Sequence, residues 1–113
     1  MRRILSAAAG VTLAAALLTG CGGSSSAEPA VVIEVKNMAY SPAEVTIDKG
    51  RTVRWQFDDS GLPHDVAGDG ALAGELKSDL LTEGTYEYTF EESGTYTYHC
   101  TPHPAMVGTV IVR

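Results

Sequence analysis

Cys100, His103 and Met106 stand at intervals of three in the run Cys100-Thr101-Pro102-His103-Pro104-Ala105-Met106. A thiol, an imidazole and a thioether so close together form a soft donor set. Thiolate and thioether suit copper better than magnesium, calcium or manganese. Two imidazoles and a thiolate with a long axial thioether make a blue-copper site. One imidazole is missing from this stretch, and the chain has only His64, His99 and His103 to offer. His99 precedes Cys100 in a strand-like run, where neighbours point to opposite faces. If Cys100 faces a metal, His99 faces away, and His64 remains by elimination. The expected ligands of one copper are therefore His64, Cys100, His103 and Met106.

Each residue also has a plainer reading. Met106 could be core, as most methionines are, and Met38, with no ligand near it in sequence, is expected there. Pro-His-Pro could be an ordinary rigid turn, and Cys100 a buried structural thiol. Together they favour a metal. Pro102 and Pro104 lock their own φ and remove two backbone donors, so the loop is stiff before metal arrives. That limits reorganisation between Cu(I) and Cu(II). A thiol enzyme using Cys100 with a histidine base leaves Met106 and the prolines unexplained, and structural zinc prefers cysteine and histidine without thioether. Four protein ligands leave no open position for substrate, so no catalytic residue is expected and the chain is not read as an enzyme.

The elements that must position these donors read as β. Val31–Val35 is rich in β-branched residues, and Glu44–Ile47 alternates apolar with polar. Val53, Trp55 and Phe57 alternate with Arg54 and Gln56, as Tyr86, Tyr88 and Phe90 do with Thr85, Glu87 and Thr89. Tyr96 and Tyr98 lead into Cys100, and Gly108 opens a last run to Val112. Short alternating strands between turns predict an antiparallel sandwich. Between His64 and Glu83 the pattern weakens into a glycine-containing loop, where Leu76, Leu80 and Leu81 could support a helical turn.

The 113 residues hold one small domain. Arg2 and Arg3, then the uncharged Ile4–Leu18 run, read as a secretory signal over 1–20, too short for a comfortable membrane span. Leu18-Thr19-Gly20-Cys21 resembles a bacterial lipobox, which implies a lipid on Cys21. Residues 21–30 read as a flexible tether, and 31–113 as the domain. Cys100 is then the only thiol of an exported domain, and an unpaired exported cysteine needs an explanation such as metal ligation. Without Arg2 and Arg3, six basic residues face fourteen acidic ones, a formal charge of −8. That argues against nucleic acid or anionic lipid as a partner and would favour a basic one. Acidity is equally an ordinary device for solubility.

At these residues the chain resembles the cupredoxins, most closely the amicyanin and plastocyanin-like type. The resemblance runs through Tyr40-Ser41-Pro42-Ala43, Asp48-Lys49-Gly50, Val53 to Phe57, Pro63-His64-Asp65-Val66 and Gly94 to Met106, then Gly108. It implies a Greek-key β-sandwich, one-electron transfer at a type 1 copper, and the ligand roles of His64, Cys100, His103 and Met106. One position departs from the family. Asn or Thr commonly follows the first histidine; here Asp65 stands, able to accept hydrogen bonds from the Thr101 region or to place negative charge near copper. That leaves the redox potential open.

The chain is thus expected to be an exported electron carrier. Lipid on Cys21 would hold it on the outer face of the cytoplasmic membrane or in the periplasm, with no other membrane contact. A monomer is expected, exchanging electrons with a redox protein at an apolar patch of Leu62, Pro63, Pro102, His103, Pro104 and Ala105. A copper chaperone or storage protein is the alternative; it should hold metal more loosely, and Met- or His-rich tracts would favour it. The chain has none.

Overall fold

The computed structural model describes residues 28–113. The expected signal over 1–20, the lipidation site Cys21 and the tether as far as residue 27 lie outside the described residues.

Eight strands form two four-stranded sheets. In chain order they are β1 (Val31–Lys36), β2 (Ala39–Ser41), β3 (Glu44–Ile47), β4 (Thr52–Asp58), β5 (Ala67–Gly68), β6 (Glu83–Thr89), β7 (Gly94–His99) and β8 (Val107–Val112). One sheet runs β2-β1-β4-β6 and the other β3-β8-β7-β5. The sheets face each other as a β-sandwich, as expected. The pairing differs from a purely antiparallel one. β1 runs parallel to β4, and β3 parallel to β8, because each of these two pairs joins strands distant in sequence, while β1 and β8 also keep their antiparallel neighbours β2 and β7. Alternation shows which face of a strand is buried and is silent about the neighbour's direction.

The core follows the alternation. Val53, Trp55 and Phe57 on β4 meet Ile33 and Val35 on β1, Tyr98 on β7 and Val110 and Val112 on β8, all nearly inaccessible to solvent. Trp55 lies edge-on to Tyr98, with ring centroids 5.4 Å apart, and Tyr98 lies edge-on to Tyr40 at 4.7 Å. Losing a buried aromatic such as Trp55 costs about 3–5 kcal/mol. Gly108 serves this packing: a Cβ there would overlap the Tyr98 ring. Met38, expected in the core, is instead exposed and sits at a φ of +58° in the β1–β2 turn.

Among the described residues the only helical segment is a 3₁₀ turn, Gly70–Leu72. It falls earlier in the weak stretch than the Leu76–Leu81 spacing suggested.

The strand directions give the sandwich two poles. β4 runs toward its end at Asp58, and the chain continues to His64; β7 runs toward His99 and Cys100. Both ends lie at one pole. The first strand enters at the other, where the Ala30 amide donates to the Thr52 carbonyl at 2.7 Å.

Candidate metal centre

Alternation on β7 buries Tyr98, turns His99 half outward and returns Cys100 to the interior. Two successive turns follow. The His103 amide donates to the Cys100 carbonyl at 3.1 Å and the Met106 amide to the His103 carbonyl at 2.9 Å. The Cys100 amide then closes the loop by donating to the Met106 carbonyl at 3.0 Å. Pro102 and Pro104 sit where none of these bonds needs a donor. Met106 is buried at the end of the loop and His103 is partly exposed.

His64 arrives from the other sheet's connection. It exchanges two backbone hydrogen bonds with Leu81, at 3.0 and 2.8 Å, and its side chain is buried. Asp59 completes its placement: the carboxylate Oδ2 lies 2.7 Å from His64 Nε2 and also accepts the Met38 amide at 3.0 Å. His64 and Met38 hold the Asp59 carboxyl below its usual range. A carboxylate at Nε2 keeps the proton on that nitrogen and frees Nδ1 for a metal. Asp59 is not singled out by the sequence alone. Its only signal was a carboxylate five residues before His64.

The three donors meet. His64 Nδ1 lies 3.2 Å from His103 Nδ1, and Cys100 Sγ lies 3.6 Å from the first and 3.5 Å from the second. First-row metal bonds of about 2.0–2.1 Å to nitrogen and about 2.3 Å to sulfur, opened to about 110°, put two nitrogens about 3.3 Å apart and a nitrogen and a sulfur about 3.5–3.6 Å apart. One ion therefore fits between them without rearrangement. Burial pushes the Cys100 thiol up, only partly offset by the backbone N–H groups of Asp65 and His103. A metal must displace that proton, as is usual for thiolate ligation.

Asp65 ties the two loops together. Its Oδ1 accepts the Thr101 amide at 2.6 Å and its carbonyl accepts the Tyr40 hydroxyl at 2.5 Å. Its carboxylate also pushes the Cys100 thiol up, more weakly than burial does. His99 stays outside the cluster, with Nδ1 2.7 Å from Asp69 Oδ1.

Comparison with known proteins places the chain in a family. The family described as copper binding proteins, plastocyanin/azurin family, matches residues 27–113. The chain belongs to that family. It is 39% identical to amicyanin from Paracoccus denitrificans over 93 residues, 77% of this chain and 68% of that protein. It is 43% identical to amicyanin from Paracoccus versutus over 87 residues, 74% of this chain and 65% of that protein. A purple cupredoxin from Nitrosopumilus maritimus superposes with a TM-score of 0.68 at 33% identity, covering 74% of this chain and 99% of that one. As a cupredoxin the chain takes one copper, and it falls with electron carriers rather than enzymes.

Proposed function

We propose that this cupredoxin is an extracytoplasmic one-electron carrier whose copper is held by His64, Cys100, His103 and Met106. The observation that carries the reading is the convergence of buried His64 and Cys100 with partly exposed His103 within metal-ligand spacing, with Met106 closing the same loop. Copper bound there would supply a reversible Cu(I)/Cu(II) step. The chain's own part is to hold the donors fixed. Asp59 orients the His64 ring, Asp65 locks one ligand loop against the other, and the buried shell keeps water from Cys100.

The way out for the electron is the partly exposed His103. Pro102, Pro104 and Ala105 around it are exposed, and Leu62 with the half-buried Pro63 adjoins His64. Leu80, beside the Leu81 that pairs with His64, and Met38, whose amide bonds to Asp59, are exposed as well. A redox protein docking there would make a small, transient contact, below about 1,200 Å². The acidic surface elsewhere favours a basic partner.

Cys21 would carry the lipid and the protein would act as a monomer. Entry of the first strand at the pole away from His64 and Cys100 supports this arrangement, because an anchor there leaves the His103 surface facing outward. Mass spectrometry of membrane-extracted protein should show acylated Cys21; a soluble form with this cysteine unmodified would refute the anchor.

Titrating Cu(II) into the apoprotein tests the carrier reading. One equivalent should give an intense blue thiolate-to-copper band and bind tightly. Copper uptake without the band would favour a chaperone or storage role instead.

A further inference from the structure

The pole of the sandwich opposite the metal centre takes no part in the carrier site. Backbone bonds gather separate segments of the chain there. The Ala30 amide donates to the Thr52 carbonyl at 2.7 Å, the Gly50 amide to the Phe90 carbonyl at 2.7 Å, and the Lys49 amide to the Arg113 carbonyl at 3.1 Å. The Arg51 amide donates to the Asp48 carbonyl at 3.2 Å and closes the turn between β3 and β4. Lys49, Arg51 and Arg113 are thereby brought to one end of the domain, and all three are exposed.

Charge is divided unevenly along the molecule. Residues 31–113 carry six cations and thirteen carboxylates. At this pole three cations meet three carboxylates, Asp48 and, after Phe90, Glu91 and Glu92; the rest of the domain has three cations against ten carboxylates. Arg113 lies 3.2 Å from Asp48, a pair so exposed that it holds little. Lys36 and Arg54, away from this pole, are paired with Glu34 and Glu87, whereas Lys49 and Arg51 have no ion-pair partner among the described residues. One end of the domain is therefore near neutral with two unpaired cations, and the body toward the metal centre is strongly acidic.

The chain leaves the domain at this same pole. Residues 22–30 join Cys21 to β1, and Glu28 is the one charge among them. A flexible tether of that length spans about 15–18 Å on average and no more than about 30 Å. Charges are screened over about 8 Å at physiological ionic strength, so a bilayer at the end of this tether acts mainly on whatever part of the domain is turned toward it. Anionic headgroups attract Lys49 and Arg51, and they repel the acidic body whenever rotation brings it near. Both effects favour one orientation. The overall charge predicts no membrane contact beyond the lipid; its segregation changes that at one end.

We propose that the pole bearing Lys49, Arg51 and Arg113 is a membrane-facing surface that rests on anionic lipid headgroups. The proposal deepens the reading of an anchored carrier and rests on it. The lipid on Cys21 holds the protein at the bilayer, and this pole sets which way the domain points. The Cys100–Met106 loop then faces away from the membrane, where a redox partner can reach His103.

The test places the acylated, Cu(I)-loaded full chain on nanodiscs of phosphatidylcholine and phosphatidylglycerol that contain a lipid spin-labelled at its headgroup, and reads the broadening of backbone amide signals. The amides of Lys49, Gly50, Arg51 and Arg113 should broaden most and those of Thr101 to Met106 least. Leaving out phosphatidylglycerol should cut the broadening at the pole about two- to threefold, and high salt should do the same. The double variant Lys49→Gln with Arg51→Gln should show that loss on the anionic discs, while circular dichroism and the blue band of its oxidised form stay unchanged. Equal broadening of both poles, stronger broadening at Thr101 to Met106, or broadening at the pole that ignores headgroup charge and the double variant would overturn the proposal and leave the anchor standing. No broadening anywhere, with Cys21 unmodified by mass spectrometry, would remove the anchor and the proposal with it.

Discussion

The two loops that meet at the metal centre are built on opposite plans. Cys100–Met106 brings a thiol, an imidazole and a thioether together within seven residues, and its three backbone hydrogen bonds all lie inside the loop. The His64 loop contributes one donor, placed by partners elsewhere: Asp59 at its ring, Leu81 along its backbone, and Asp65 reaching across to Thr101. One loop is a local device that folds around its own turns. The other is assembled by the sandwich. Damage to the first should therefore remove the chemistry, and damage to the second should loosen or retune it.

The largest effect is expected from Cys100→Ser. It should abolish the blue band altogether, since that band requires the thiolate, while circular dichroism of the apoprotein keeps its β signature. A variant that stays blue would show that the local loop is not the source of the sulfur ligand.

Asp59→Ala leaves all four proposed ligands in place but frees the His64 ring. Copper affinity should fall about 10–100-fold, read by competition with a chelator. Asp59→Asn, which still offers an oxygen acceptor to Nε2, should recover part of the loss. The His64 and Met38 bonds lower the Asp59 carboxyl, so its contribution to stability is fully present above the unfolded value of about 3.9. That contribution is lost as pH falls through the lower folded value. The stability gap between the parent and Asp59→Ala apoproteins should accordingly close in strong acid and stay constant near neutrality. A gap that widened in acid would contradict the lowered carboxyl.

Asp65→Asn sharpens the comparison further. The amide oxygen can still accept the Thr101 amide, so the loops stay joined and only the charge is lost. A negative charge near the sulfur favours Cu(II). Its removal should raise the reduction potential by an amount on the order of tens of millivolts, measured by voltammetry, with little change in colour. An unchanged potential would mean that the charge is screened from the metal.

Ala105→Glu should have the smallest effect on the centre itself. It puts a charge on the exposed apolar surface beside His103 without touching a ligand. The spectrum should not change, while electron exchange with the natural partner slows severalfold. Equal rates would place the exit on another face.

The Cys100–Met106 loop was legible because its information is local. Three donors at intervals of three, with prolines between them, identify the chemistry wherever the chain folds. The same holds for the alternation of Val53, Trp55 and Phe57, which marks one face of a strand as buried before any neighbour is known. His64 was reached by elimination among three histidines, and the sandwich then brings its Nδ1 to 3.2 Å from that of His103. Other features depended on residues far apart in sequence. The parallel pairing of β1 with β4 and β3 with β8, the bond from Asp59 to His64, the exposure of Met38 and the clasp of Asp65 on Thr101 each join separate segments. A residue's type and spacing determine which chemistry it can do and which face of its strand it prefers. Which distant backbone or ring it meets depends on strand order and register, and those are set only when the two sheets close on a common core.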